Sequence, residues 1–153
     1  MKRNLQLFAP FLGIAVFILV GFAWIMSANK PLPYKMAPMS DMPTYVQTAD
    51  VRTREAYQFA AANHHTLENY PCMCGCKAMG HMNNADCYIK ALAPDGIVIT
   101  FDQHASGCGV CVDITQDVMR MMREGHKPID IRAYIDATYS QFGPSTDTPL
   151  PSA

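Results

Sequence analysis

All six cysteines of this 153-residue chain fall between residues 72 and 111, as Cys72-x-Cys74-x-Cys76, a single Cys87, and Cys108-Gly-Val-Cys111. That clustering constrains the fold more than any other feature, because three separate stretches must bring their sulfurs near one another or leave them scattered and reactive. Cysteines one residue apart can pair only in a strained ring, since an unstrained bridge needs Cα atoms about 4.4–6.8 Å apart with converging Cβ vectors. Three at that spacing instead make a loop that aims several thiols into one small volume, and Gly75 lets the backbone fold tightly there. Cys108 and Cys111 lie about one turn apart at the start of an expected helix, where the helix dipole favours thiolate. Together the two groups point to a metal or redox site more than to a purely disulfide-stapled domain.

The second constraint is the run from Leu7 to Met26, twenty residues without a charge, preceded by Lys2 and Arg3. At about 1.5 Å per residue it is long enough to cross a hydrocarbon core of about 30 Å. A secretory leader normally has a shorter apolar stretch of about 7–15 residues, so residues 1–27 read as an anchor, with a cleaved signal segment as the alternative. Lys2 and Arg3 favour a cytoplasmic N-terminus and place the rest outside the cell membrane, periplasmic or extracellular, as a single-pass protein. Trp24 and Tyr34 fall near the outer interface.

Residues 28–49 carry Pro31, Pro33, Pro38 and Pro43 with Met36, Met39 and Met42, a composition that predicts a stiff extended tether. From Gly143 to the end the chain lacks an apolar period and reads as a disordered tail, leaving 50–142 as the folded unit. Within it, Asp50 caps an expected helix to about Asn69, with Val51, Tyr57, Ala60, Ala61, His64 and Leu67 on one face. Cys87–Leu92 and Ile97–Phe101 read as a hairpin around Ala93-Pro94-Asp95-Gly96. A second helix starts near Cys108 or Gly109, with Cys111, Ile114, Val118 and Met121 inward and Gly125 as its stop. Pro128 opens a last helix whose apolar face is Ile131, Tyr134, Ile135, Thr138 and Phe142. The expected fold is mainly α: a small α-rich domain with a short β-hairpin behind an N-terminal transmembrane helix.

Tyr70-Pro71-Cys72-Met73-Cys74-Gly75-Cys76, then Gly80-His81, Cys87, Asp102-x-His104 and Cys108-Gly-Val-Cys111, resemble the bacterial PCYCGC-motif proteins over roughly Leu67 to Phe142. The resemblance implies a small extracytoplasmic, metal-binding domain, and carries Cys72, Cys74, Cys76, Cys87, Cys108, Cys111, His81 and His104 over as candidate ligands. Met73 stands where the motif has Tyr, which adds a thioether, and a membrane helix replaces the lipoprotein anchor frequent in the family.

Thiolates and thioethers together favour Cu(I) as the metal, with a structural zinc or an iron–sulfur cluster as alternatives. Met36, Met39 and Met42 would pick up or relay ions, and Met73, Met79 and Met82 surround the Cys loop. Met119, Met121 and Met122 read as helix packing. Asp102 is a candidate acceptor orienting His104. His64 reads as a satisfied packing residue, and His65 and His126 as solvated. The favoured function is a membrane-tethered copper-binding protein for delivery or sequestration, not an enzyme. Its partners would be the membrane, metal ions and another metal-handling membrane protein. A thiol–disulfide oxidoreductase using Cys108 as nucleophile and Cys111 as resolving thiol is the main alternative. The formal net charge of −1 leaves no excess of basic residues for a nucleic-acid partner.

Overall fold

The computed structural model describes residues 31–152. The apolar run Leu7–Met26 lies outside them; among the described residues no helix is long and apolar enough to cross a membrane. In chain order the elements are α1 (Thr44–Gln47), α2 (Val51–Leu67), β1 (Ile89–Leu92), β2 (Val98–Phe101), α3 (Gly109–Glu124) and α4 (Pro128–Tyr139). Short 3₁₀ turns stand at Met39–Asp41, Cys76–Met79, Ala85–Cys87 and His104–Gly107. The fold is thus mainly helical with a small antiparallel hairpin.

The helix boundaries follow local chemistry. Asp50 closes the start of α2 through its carboxylate, which accepts from Thr53 N at 3.1 Å and Thr53 Oγ1 at 2.6 Å. Those bonds hold the Asp50 carboxyl below its ordinary value. Gly125, at φ +84°, closes α3 in the left-handed conformation that a helix end favours. Pro128 opens α4, where its missing N–H costs nothing. The α3 helix packs against both α2 and α4, burying Cys111, Ile114, Val118 and Met121 as their spacing predicts. β1 and β2 pair Ile89 with Phe101 and Leu92 with Val98, with irregular register between. Ala93 and Gly96 close their turn through Gly96 N to Ala93 O at 2.9 Å.

Four expectations need correction. Val51 is exposed, and the inward stripe of α2 runs instead through Thr53, Ala56, Tyr57, Phe59, Ala60, His64 and Leu67. Thr53 begins that stripe but is silent in a count of apolar residues. On α4 the buried residues are Ile131, Arg132, Ile135 and Tyr139, while Tyr134 and Phe142 are exposed. Tyr134 lies instead under the Arg120 guanidinium, 5.4 Å from its ring centroid.

The Pro- and Met-rich stretch is not a free tether from residue 33 onward. Tyr34, Met42 and Val46 are buried in the core, with Met36 and Met39 packed on it. Its extended backbone lies along α2: Ala37 N donates to Gln58 O at 3.0 Å, and Gln58 Nε2 donates back to Ala37 O at 2.7 Å. The expected disordered tail is likewise docked. Thr146, Thr148 and Pro151 are buried. Buried Arg132 places Nη1 within 3.2 Å of Asn69 O, 3.1 Å of Thr148 O and 2.9 Å of Pro149 O. Prolines that preclude helix do not preclude packing when carbonyls and small polar side chains find partners.

Replacing Arg132 by Ala should free the tail, because it strands three carbonyls that a guanidinium now serves. The expected cost is about 1.5–3 kcal/mol, the range for hydrogen bonds to charged groups. Limited proteolysis should then cut within 144–151 in the variant and spare the parent.

Candidate metal centre

The site is assembled from four pieces of chain. The helix α2 ends at Leu67, and Pro71 sends the chain into the loop carrying Cys72, Cys74 and Cys76. Cys72 is fixed by two bonds to the C-terminal segment: Thr146 Oγ1 accepts from Cys72 N at 2.9 Å, and Thr146 N donates to Cys72 O at 3.1 Å. Gly75 at φ +82° and Gly80 at φ +90° bracket the Cys76–Met79 turn and send the loop back on itself. A Cβ at Gly75 would meet nothing within 4 Å, so its backbone angle, not close packing, is what calls for glycine. The hairpin then returns the chain to His104, and α3 begins with Cys108 at its cap and Cys111 in its first turn.

All eight candidate ligands converge. Cys74, His104, Cys108 and Cys111 present ligand atoms within 4.8 Å of one another, as do Cys76, His81, Cys87 and His104. Cys72 joins the two sets, grouping with Cys74 and Cys76 and also with Cys87 and Cys111. Its sulfur lies 3.2 Å from that of Cys74 and 3.7 Å from that of Cys111. Cys74 and Cys111 are 3.6 Å apart, and Cys76 and Cys87 3.9 Å. His104 Nε2 reaches Cys74 Sγ at 3.4 Å and His81 Nδ1 reaches Cys87 Sγ at 3.6 Å. This Cys/His cluster could hold a metal ion.

Its electrostatics are set by burial and by hydrogen bonds among the thiols. Thiol hydrogen bonds from Cys111 and Cys87 push Cys72 far below the ordinary thiol value. Burial foremost, and then the Cys72 sulfur, pushes Cys74 up. Cys87 and Cys111 are pushed up because their thiols serve as donors within the cluster. A second thiolate at these distances would be an uncompensated buried charge unless a cation accompanied it.

Around the sulfurs the support is polar and buried. Tyr88 donates its hydroxyl to Cys111 O at 2.9 Å. Thr115 Oγ1 sits 2.7 Å from both Asn84 Oδ1 and the Tyr88 hydroxyl. Asp102 does not orient the His104 ring as expected. Its Oδ1 accepts from the His104 backbone N at 2.7 Å, and its Oδ2 faces His81 Nε2 at 4.0 Å. Asp102 O in turn accepts the Tyr57 hydroxyl at 2.7 Å. Met73 is buried, whereas Met79 and Met82 are exposed. Met36, Met39 and Met42 pack on the core, so they do not stand free to capture ions. His65 and His126 are exposed as expected. His64 is buried, but it is not satisfied: neither ring nitrogen has a partner among the described residues.

Sequence reasoning missed Gly143, Thr146, Asn84 and Tyr88. A Cβ on Gly143 would stand 2.9 Å from Met73 O and 3.4 Å from Gly75 N, so the tail crosses directly over the Cys loop's backbone. Only a glycine at the start of an apparently structureless tail hinted at this.

The family described as a protein of unknown function with PCYCGC motif matches residues 26–151. The chain belongs to that family. The match extends beyond the Leu67–Phe142 resemblance in both directions, taking in the segments that dock before α2 and after α4. No curated protein and no solved structure matches the chain.

The two glycines should respond differently to alanine. At Gly75 the cost should be about 1–2 kcal/mol of left-handed backbone strain, with the loop retained. At Gly143 the new methyl meets backbone that cannot rotate away, so tail and Cys loop must separate. Free-thiol reactivity in the metal-free protein should rise in Gly143→Ala and stay near the parent's in Gly75→Ala.

Proposed function

We propose that this PCYCGC-family protein is an extracytoplasmic metal-binding protein held at the cell membrane by Leu7–Met26, and that its cargo is Cu(I). The observation that carries this reading is the convergence of six thiols and two imidazoles, from four separate stretches, around Cys72. A single tetrahedral zinc site uses four ligands. A contiguous set of eight, with His104 in both sets and Cys72 grouped with members of each, suits several soft ions bridged by thiolates. Thiolates take Cu(I), zinc and iron–sulfur clusters alike, and thioethers beside them favour Cu(I). The thioethers of Met79 and Met82, exposed on the loop beside Cys76 and His81, offer donors that stay available at any pH where an ion would enter.

The protein would bind and pass on ions rather than catalyse a reaction, delivering them to a second metal-handling protein at the membrane or sequestering them. Cys108 and Cys111 share their set with Cys74 and His104, an arrangement of co-ligands more than of a nucleophile and its resolving thiol.

Two outcomes are expected. Replacing Cys72 and Cys74 by Ser, or Cys108 and Cys111 by Ser, should each abolish most high-affinity Cu(I) binding, and combining them should add little. If each pair removes its own separate half of the bound copper, the shared site is wrong. Loading should also release protons, because the raised thiols of Cys74, Cys87 and Cys111 must ionise to bind. Apparent affinity, measured against a competing chelator, should therefore fall as pH is lowered. A pH-independent affinity would mean that the thiols are not the ligands.

A further inference from the structure

Near the C-terminal end of α2 a second group of donors stands apart from the thiols. His64, His65 and Glu68 place one ligand atom each within 4.8 Å of the others. Residues next to each other on a regular helix point about 100° apart and do not face one another, yet the His64 and His65 rings lie 3.9 Å apart between centroids. Immediately before them the helix is broken at Asn63, with φ −142° and ψ 36°. Its side chain holds the break by donating to Lys35 O at 2.7 Å and Phe59 O at 2.8 Å.

His64 is only 7% exposed, and both of its ring nitrogens are buried without a partner among the described residues. An unpaired buried polar group is costly, and native structures seldom keep one without a use. His65 Nδ1 lies 3.1 Å from Glu68 Oε2. His64 and Glu68 also line a cavity of about 160 Å³ with Asp86 and Lys90, so space exists beside the buried ring. The hairpin turn approaches the same ring, for a Cβ added at Gly96 would meet it at 3.5 Å.

We propose that His64, His65 and Glu68 form a second cation site, built of two imidazoles and a carboxylate, that takes a borderline divalent ion such as Zn(II), Co(II) or Cu(II). The donor set differs in kind from the thiol cluster: imidazole and carboxylate suit divalent first-row ions, whereas thiolates select soft ones. A cation here supplies the partner that His64 lacks and the carboxylate balances its charge. The protein then carries two chemically distinct sites, and the second stands whether or not the first holds copper.

The test uses Co(II) with the reduced full chain, read by absorption and by histidine ring-proton NMR. His65 and Glu68 have exposed side chains, so His65→Ala and Glu68→Gln leave the core intact. The parent should take up an additional equivalent of Co(II) that adds no thiolate-to-metal charge transfer and perturbs the His64 ring. His65→Ala should lose that equivalent while keeping the thiolate-bound cobalt. Glu68→Gln should weaken it by at least about tenfold, the loss typical even of groups that only orient a ligand. Equal uptake by the parent and His65→Ala would overturn the proposal. So would an extra ion that leaves the His64 ring unperturbed, since His64 would then be a packing residue alone.

Discussion

The sulfur of Cys72, 3.2 Å from Cys74 and 3.7 Å from Cys111, ties the loop after α2 to the first turn of α3. Nearly everything else in the domain serves that meeting. A thiolate buried among thiols is tolerable only while its neighbours donate to it or a cation joins it. The backbone that presents these sulfurs must therefore be fixed before any ion arrives. Thr146 fixes Cys72, Tyr88 and Asn84 meet the Cys111 carbonyl, and the hairpin carries the chain from Cys87 back to His104. Helices α2 and α3 contribute less as a hydrophobic scaffold alone than as a frame whose ends aim at one point.

That frame couples the site to parts of the chain that look peripheral. The segment before α2 packs on its outer side through Gln58 and Asn63, and the same Asn63 sets the break that precedes His64 and His65. The segment after α4 crosses the Cys loop at Gly143 and is held down by Arg132. Lys77, in the turn after Cys76, pairs with Asp147 at 2.6 Å, an exposed contact worth little by itself. An ion bound at the sulfurs would thus meet a loop already held down by the C-terminal segment. Less ordering entropy then has to be offset at the moment of binding.

What the sequence made legible was whatever depends on spacing. Asp50, Gly125 and Pro128 mark helix ends by local rules, and the apolar period of α3 names its inward face. The eight candidate ligands could be named because Cys and His carry their chemistry in their identity, and the motif resemblance collected them. What depends on tertiary pairing was hidden. Thr53 and Arg132 are polar residues that became interior because one begins a stripe beneath an N-cap and the other serves carbonyls of the tail. Pro31, Pro33, Pro38 and Pro43 announce an extended chain but not whether it docks. Asn84 reads as an ordinary loop residue until Thr115 and Cys111 are placed beside it.

The most direct test of a single shared centre is X-ray absorption at the copper edge of the Cu(I)-loaded full chain. Ions held together by bridging thiolates should give sulfur-dominated first-shell scattering and a short copper–copper path. That path should vanish when Cys72, whose sulfur groups with members of both sets, is replaced by Ser. Sulfur scattering with no copper–copper path at full loading would mean separate sites and contradict the account. So would a first shell dominated by nitrogen.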